Sequence, residues 1–229
     1  MLPGADIHAI GLSVRVAAAA TVFALPFGVA AAGLLAFGRF PGKRLLDLLV
    51  HLPLTLPPVV VGYLLLLLLG RNGWIGAPFD ALGIRLVFTW HAGALASAVV
   101  GFPLLVRSVR LSMESIDPKI LEAARTLGAG PIDAFLRVVV PLSARGIAAG
   151  SALLFARSLG EFGATVIVAG NIPGVTRTLP VAIYDYAAAP GNDAAASMLC
   201  GAAVLLSAAV LLLHERIVRP AGCGGGAAR

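Results

Sequence analysis

The least membrane-like interior segment of this chain contains Glu122-Ala123-Ala124-Arg125-Thr126-Leu127-Gly128. It lies between the third and fourth long apolar segments. Asp117 can cap a helix that begins at Pro118, because a proline at the first helical position loses no hydrogen bond. Gly128 can end that helix in the left-handed conformation that glycine adopts without strain. The sequence therefore predicts a helix of about ten residues outside the bilayer core, with small alanines that suit docking into a groove of another protein.

The rest of the chain is strongly apolar. Of its 229 residues, 59% are hydrophobic and 12% are charged, which is about half the charged fraction of a soluble domain, and the mean hydropathy is +0.96. A helix of about 20 apolar residues crosses a bilayer, so we expect one all-α polytopic membrane domain over residues 1–229 with five transmembrane helices. The expected spans are approximately 10–37, 45–69, 89–111, 141–169 and 194–217, with a cytoplasmic loop at about 112–140. Pro53, Pro57 and Pro58 predict a kink or break in the second span.

The distribution of Lys and Arg predicts the orientation of the chain. With the N-terminus outside, twelve of the 17 Lys and Arg residues fall in cytoplasmic loops or the tail, and three fall outside. This is the bias that sets the topology of membrane proteins, and it puts the loop at 112–140 and the C-terminus in the cytoplasm. Residues 1–9 contain no Lys or Arg, so the first apolar segment is predicted to be an uncleaved span and not a signal peptide.

Several classes of function are disfavoured by composition. The net charge of +6 is explained by asymmetric loop charge, and basic residues are not interleaved with aromatic ones, so nucleic-acid binding is not expected. Cys200 and Cys223 offer no metal or disulfide framework. We expect no metal, no cofactor and no catalytic residue on this chain. A membrane-embedded enzyme would need a nucleophile, base or metal cluster, and none is found in the sequence.

The segment around Glu122 belongs to a longer pattern that continues after Gly128, through nine intervening residues, to Val138, Val140 and Pro141. This pattern resembles the E-A-A loop of the permease subunits of binding-protein-dependent ABC importers. The resemblance implies the type I ABC importer transmembrane fold, in which the loop forms a coupling helix that inserts into a groove of the ATP-hydrolysing subunit. The coupling residues implied here are Glu122, Ala123, Ala124, Leu127, Gly128 and Pro141.

From the residues alone, the helix has an apolar side made of Ile120, Leu121, Ala124 and Leu127. A local role remains open for Glu122, since a carboxylate on a helix can pair with a cation three or four residues away.

The energy source is expected to be a separate subunit, because the sequence contains no G-x-x-x-x-G-K-[ST] phosphate-binding loop. The family resemblance implies two ATP-binding cassette subunits that hold ATP and Mg. It also implies a homodimer of this chain, surrounded by membrane lipids, and a periplasmic or lipid-anchored binding protein for the substrate.

Four other stretches resemble molybdate permease subunits of this family: Leu52–Tyr63, Gly160–Thr165, Val168–Gly174 and Thr176–Tyr184. Sulfate and tungstate permeases share much of this pattern. The resemblance implies an importer of molybdate or tungstate in the bacterial cytoplasmic membrane, with a sulfate-type or other oxyanion ABC permease as the alternative. An ATP-independent channel or carrier is the rival class, and it would be expected to show inverted repeats or several intramembrane acids.

Two ionisable residues, Arg157 and Glu161, lie four residues apart within the expected fourth span. Charged groups at that depth usually face the interior of the bundle. Together with Ser158 and Thr55 they are candidates for a translocation path or gate. A mutual ion pair that holds helices together is the favoured alternative, because this spacing on a helix lets the two charges neutralise each other.

Overall fold

The computed structural model describes residues 4–218 and the side chains of residues 7–216. All regular elements in this part of the chain are helical. In chain order they are α1 (Gly4–Phe37), α2 (Lys43–Thr55), α3 (Pro58–Leu69), α4 (Gly76–Ala81), α5 (Trp90–Glu114), α6 (Pro118–Thr126), α7 (Pro131–Ala134), a π-helical turn (Phe135–Val139), α8 (Val140–Leu142), α9 (Ala144–Leu159), α10 (Gly163–Ala169), α11 (Leu179–Ala188) and α12 (Asp193–Val218).

Three helices, α1, α5 and α12, are each long and apolar enough to cross a membrane. Two more spans arise if each of two bent helix pairs is counted as one. These pairs are α2 with α3, bent by 114°, and the run Pro131–Leu142 with α9, bent by 70°. Within residues 4–218, the expected total of five spans is therefore reached only when two of them are broken.

The first break is at Leu56 and Pro57, between α2 and α3. A proline ring disfavours the helical conformation of the residue before it, and Leu56 is accordingly extended, with a ψ of 144°. Pro58 then occupies the first position of α3, where its missing N–H is harmless. The segment 45–69, expected as one span that is kinked or broken at its prolines, thus consists of two helices of 13 and 12 residues that run in very different directions.

A second break, separate from the 70° bend before α9, interrupts the segment 141–169, which was expected as one continuous span. α9 ends at Leu159, the residues 160–162 are not helical, and α10 continues to Ala169 before Gly170, which has a φ of 76°. The apolar residues on both sides of this break conceal it from a hydropathy average. Glu161 consequently lies between two helices and not in the middle of one.

The central helix of the bundle is α5, which packs against α1, α9 and α10. Of its most apolar stretch, 67% is buried, compared with 11% for α12. Leu105, Val106, Val109 and Met113 of α5 are fully buried in the largest core cluster. Gly28 of α1 lies so close to α5 that a Cβ added to it would be 2.5 Å from a methyl carbon of Leu105. Small residues at such crossings let membrane helices approach and gain dispersion contacts.

Candidate functional site

The helix predicted in the polar loop is present as α6. Its N-terminus is capped because the Lys119 amide donates to Asp117 Oδ1 at 2.9 Å, and Pro118 is the first helical residue. Gly128 follows its C-terminus with a φ of +88°, in the left-handed region. No neighbouring group lies within 4 Å of a Cβ built at Gly128, so the backbone conformation and not crowding favours glycine there. The prediction of a short, capped helix is confirmed.

Large apolar side chains are exposed along this loop. Leu127 is 88% exposed and Ile132 76%, and Ile120 and Leu136 are exposed as well. We call these four residues the docking face. Exposed apolar side chains grouped on one segment are typical of a binding surface, because leaving them in water is unfavourable.

The apolar side expected for α6 is divided in the structure. Leu121 is half-buried against the main core, and Ala124 is half-buried too, whereas Ile120 and Leu127 are exposed. The four residues expected on one apolar side of the helix therefore differ in their exposure. The reason is that α6 rests on the bundle, so that part of its apolar stripe anchors the helix and the remainder faces outward.

The other residues implied in coupling are accessible. Glu122 and Ala123 are exposed on α6, and Pro141 is exposed on α8. The Glu122 carboxylate makes no ion pair with any residue that the structure describes, so the local pairing left open by the sequence is not formed. Its charge is available to a group outside this chain.

A contact between residues that are far apart in the sequence joins this loop to the bundle. The ring of Phe135, in the π-helical turn, lies in a notch at Gly33 of α1, where an added Cβ would be 2.5 Å from Phe135 Cε2. A cleft of about 510 Å³ beside this notch is lined by residues of α1, α6 and α7, among them Leu121 and Arg125.

The π-helical turn lies just before Pro141, and in it the Val140 amide donates to the Phe135 carbonyl five residues earlier. Such turns occur frequently at functional sites. The hydrophobic periodicity of the sequence does not predict this π-helical turn.

The second candidate site is at the second break. Arg157 Nη1 lies 2.7 Å from Glu161 Oε2, and the Glu161 side chain is only 1% exposed. The other carboxylate oxygen, Oε1, accepts the amide of Ala164 at 2.9 Å, so Glu161 also caps the start of α10. The predicted ion pair is present, but it fixes the geometry of a helix break and does not lie along one continuous helix.

The hydroxyl groups around the breaks differ in their hydrogen bonding. Thr55, at the end of α2, is exposed and donates to the Leu52 carbonyl at 2.9 Å. Ser158 and Ser97 are buried, and neither hydroxyl has a hydrogen-bond partner among the described residues. An unsatisfied buried hydroxyl is costly, so both can accept a water molecule or another polar group.

The two breaks are in contact with each other. A Cβ at Gly163, the first residue of α10, would lie 3.1 Å from Pro58 Cβ at the start of α3. One turn further along α3, a Cβ at Gly62 would lie 2.8 Å from the Cα of Ala164. Glycine at both positions lets the backbones approach this closely. The structure therefore gathers Arg157, Ser158 and Glu161 at one break, and Thr55 ends the helix that precedes the other.

Comparison with known proteins relates the chain to membrane transport components. Residues 24–220 match the protein family described as "Binding-protein-dependent transport system inner membrane component". The chain is 49% identical over 213 residues to the molybdenum transport system permease protein ModB of Escherichia coli K12, with 93% of each chain covered. It is 38% identical over 206 residues to the sulfate transport system permease protein CysT of Salmonella typhimurium, covering 87% of this chain and 73% of that one.

A solved structure of the MetNI methionine ABC transporter has a similar fold. The TM-score is 0.72 at 18% sequence identity, over 93% of this chain and 94% of that chain. At this identity the likeness concerns the fold alone. The transmembrane fold expected from the sequence is confirmed.

Proposed function

The chain belongs to the family of binding-protein-dependent transport system inner membrane components, and we propose that it is the membrane-spanning permease subunit of an ATP-driven molybdate importer. The substrate assignment rests on the higher identity and fuller coverage of the molybdenum relative, 49% over 93% of both chains, compared with 38% for the sulfate relative. Tungstate is a second expected substrate, because it matches molybdate in charge, shape and size, whereas sulfate is a smaller anion.

The observation that carries the proposal is α6 with its docking face. A short helix that exposes large apolar side chains is suited to insertion into a groove of a partner protein. We propose that the partner is an ATP-binding cassette subunit and that Glu122, Ala123, Ala124, Leu127, Gly128 and Pro141 form or support the contact. ATP and Mg bind to that partner, and this chain holds no cofactor and hydrolyses no ATP itself.

The complete importer contains two copies of this chain and two ATP-binding cassette subunits. The family description names a binding protein, which we place outside the membrane, either periplasmic or lipid-anchored. The N-terminus of this chain is outside and the C-terminus is cytoplasmic, since that orientation places most Lys and Arg residues inside. The docking face is then on the cytoplasmic side, where ATP is available.

The transport cycle follows from alternating access. A loaded binding protein delivers the anion from outside, and ATP-driven closure of the two ATPase subunits moves both α6 helices. The Phe135–Gly33 contact passes this movement to α1, and the packing of α1 on α5 passes it to the rest of the bundle. The two breaks form the region that opens. Ser158 and Thr55 line it, and the Arg157–Glu161 ion pair holds the start of α10 in place.

Uptake by reconstituted vesicles tests this function directly. Proteoliposomes that contain the chain, its ATPase and its binding protein would be offered molybdate, tungstate or sulfate, with and without ATP. We expect ATP-dependent molybdate uptake that excess sulfate does not suppress. ATP-dependent uptake of sulfate instead would keep the coupling function and reject the substrate, and uptake that needs neither ATP nor the ATPase would reject the importer class.

A further inference from the structure

The clefts along α2 and α5 are charged near one end of these helices and apolar further along them, and none takes part in the function proposed above. We call these clefts together the groove. The charged end consists of two adjoining clefts of about 530 and 350 Å³, which share Asp47 and Arg110. Four cationic side chains line these clefts and outnumber the two carboxylates there. The cations are Lys43, Arg44, Arg107 and Arg110.

The carboxylates in the clefts are already occupied. Arg110 donates through Nη1 to Asp47 at 3.1 Å and through Nε to Glu114 at 2.7 Å, which joins α2 to α5. Arg44 and Arg107 are exposed, and neither makes an ion pair with any of the described residues. The clefts therefore carry an excess of positive charge that complements an anion.

The apolar end of the groove is suited to a hydrocarbon chain. A third cleft, of about 350 Å³, lies between α1, α2 and α5, and its surface is almost entirely apolar. Its lining includes Phe23, Phe27, Leu49, Pro53, Val99 and Phe102. Leu45, Leu48, Leu49 and Leu52 are exposed at helical spacing on α2, so the same helix also presents an apolar stripe to its surroundings.

The order of these features along the helices matches a phospholipid. On α5 the apolar lining ends at Phe102 and the cationic lining begins at Arg107, which is about 8 Å further along the helix axis. Beyond the cationic end, the chain leaves α5 for α6. On α2 the charged and apolar linings follow the opposite order along the chain, because the charged residues Lys43 and Asp47 come before Leu49 and Pro53. Both helices thus place the charge at the end of the bundle and the apolar surface deeper within it.

We propose that this groove binds an anionic phospholipid from the leaflet on the side of α6. The phosphate is held near Arg44 and Arg107, and one acyl chain lies in the cleft lined by Phe27 and Phe102. Basic clefts between membrane helices are suited to anionic headgroups, and a free oxyanion would make no use of the apolar end. The inference does not depend on which substrate the protein transports.

The test is lipid binding by the purified full-length chain in detergent, followed by native mass spectrometry. Dioleoyl phosphatidylglycerol would be compared with dioleoyl phosphatidylcholine, which has the same tails and no net charge, and with glycerol phosphate, which has no tails. We expect retention of phosphatidylglycerol alone. Arg44→Gln and Arg107→Gln should each weaken it about fivefold, while Arg85→Gln, which removes an exposed cation far from the groove, should leave it unchanged.

Each contrary result overturns the proposal in a distinct way. Equal retention of phosphatidylcholine would mean that the groove selects tails and not charge. Displacement of phosphatidylglycerol by molybdate or glycerol phosphate would mean that the clefts take a free oxyanion. Equal binding by the Arg44, Arg107 and Arg85 variants would mean that the anion is held elsewhere. The lipid-binding measurement needs neither ATP nor an ATPase. A negative result in it is therefore independent of a negative result in the uptake assay.

Discussion

The ring of Phe135 fills the space next to Gly33 where any larger residue would need to place its side chain. A Cβ at Gly33 would be 2.5 Å from Phe135 Cε2 and 2.8 Å from Cζ. Phe135 belongs to the π-helical turn that follows α6 and α7, and Gly33 belongs to the last third of α1. This contact is thus a direct connection between the loop that carries the docking face and a membrane-spanning helix.

Gly33→Val should break this connection. The added side chain displaces Phe135, and overpacking of this kind costs about 1–3 kcal/mol. We expect the complex to keep its ATPase activity while ATP-dependent uptake falls about tenfold, measured in parallel on the same proteoliposomes. Gly11→Val is the matched control, because nothing lies within 4 Å of a Cβ at Gly11 of α1. Phe135→Ala in the Gly33→Val background should restore part of the uptake, and a failure of this rescue would speak against a direct contact.

Gly128→Val should also uncouple transport from ATP hydrolysis. A β-branched residue is strained at a φ of +88° by about 1–2 kcal/mol or more, so the C-terminus of α6 must change its path. ATP-dependent uptake in vesicles should be lost although the protein still reaches the membrane. The control is Gly130→Val, since Gly130 has an ordinary φ of −67° and open space around it. Normal uptake by the Gly128 variant would reject the coupling role of α6.

Arg157→Ala should lower stability more than it changes anion selection. It leaves Glu161, which is 1% exposed, without its cation, and we expect a cost of about 2 kcal/mol, below the range for fully buried pairs because Arg157 is 32% exposed. The midpoint of thermal unfolding in detergent should fall, and Glu161→Gln in the same chain should recover most of it, since the glutamine oxygen can still accept the Ala164 amide. Arg145→Ala, at an exposed cation without an ion-pair partner among the described residues, is the control. A variant that stays fully stable and loses only anion passage would show that Arg157 belongs to the path.

Leu127→Glu and Ile132→Glu should each release the ATPase partner. Both residues are more than three quarters exposed, so the bundle has little reason to unfold, while a charge in an apolar interface typically costs 2 kcal/mol or more, roughly thirtyfold in affinity. Co-purification of the ATPase on a tagged permease measures the effect. Leu82→Glu, at a residue 74% exposed near the opposite end of the bundle, should retain the partner. Full retention by both variants would move the ATPase contact away from the docking face.

Local features of this chain could be predicted from sequence because short-range stereochemistry determines them. Asp117, Pro118 and Gly128 fix both ends of α6 by their own conformational preferences, and the helix is found where they place it. The prolines before α3 likewise predicted a break. The angle of 114° between α2 and α3 could not be predicted from sequence, because it depends on how α3 packs against α10 through Gly62 and Gly163.

The contacts that organise the candidate sites join residues distant in sequence, and for that reason periodicity did not find them. Gly33 and Phe135 meet only after α1 and the π-helical turn have packed, and Arg110 reaches Asp47 from a different helix. The hydropathy pattern predicts a single span around Glu161, because its apolar neighbours hide the glycines that end α9 and begin α10. The four-residue spacing correctly predicted its partner, Arg157, since the side chains can meet across a helix terminus as well as along a helix.

The close packing of the two breaks has a consequence for the resting membrane. Backbone groups freed at a break would hold water at depth and give protons a route across the bilayer. Because Gly62 and Gly163 leave no space for a side chain between α3 and α10, the starts of these two helices pack directly on each other, and neither can move alone. We therefore expect an idle transporter to preserve the membrane potential and larger residues at these glycines to make cells leaky to protons even when no substrate is present.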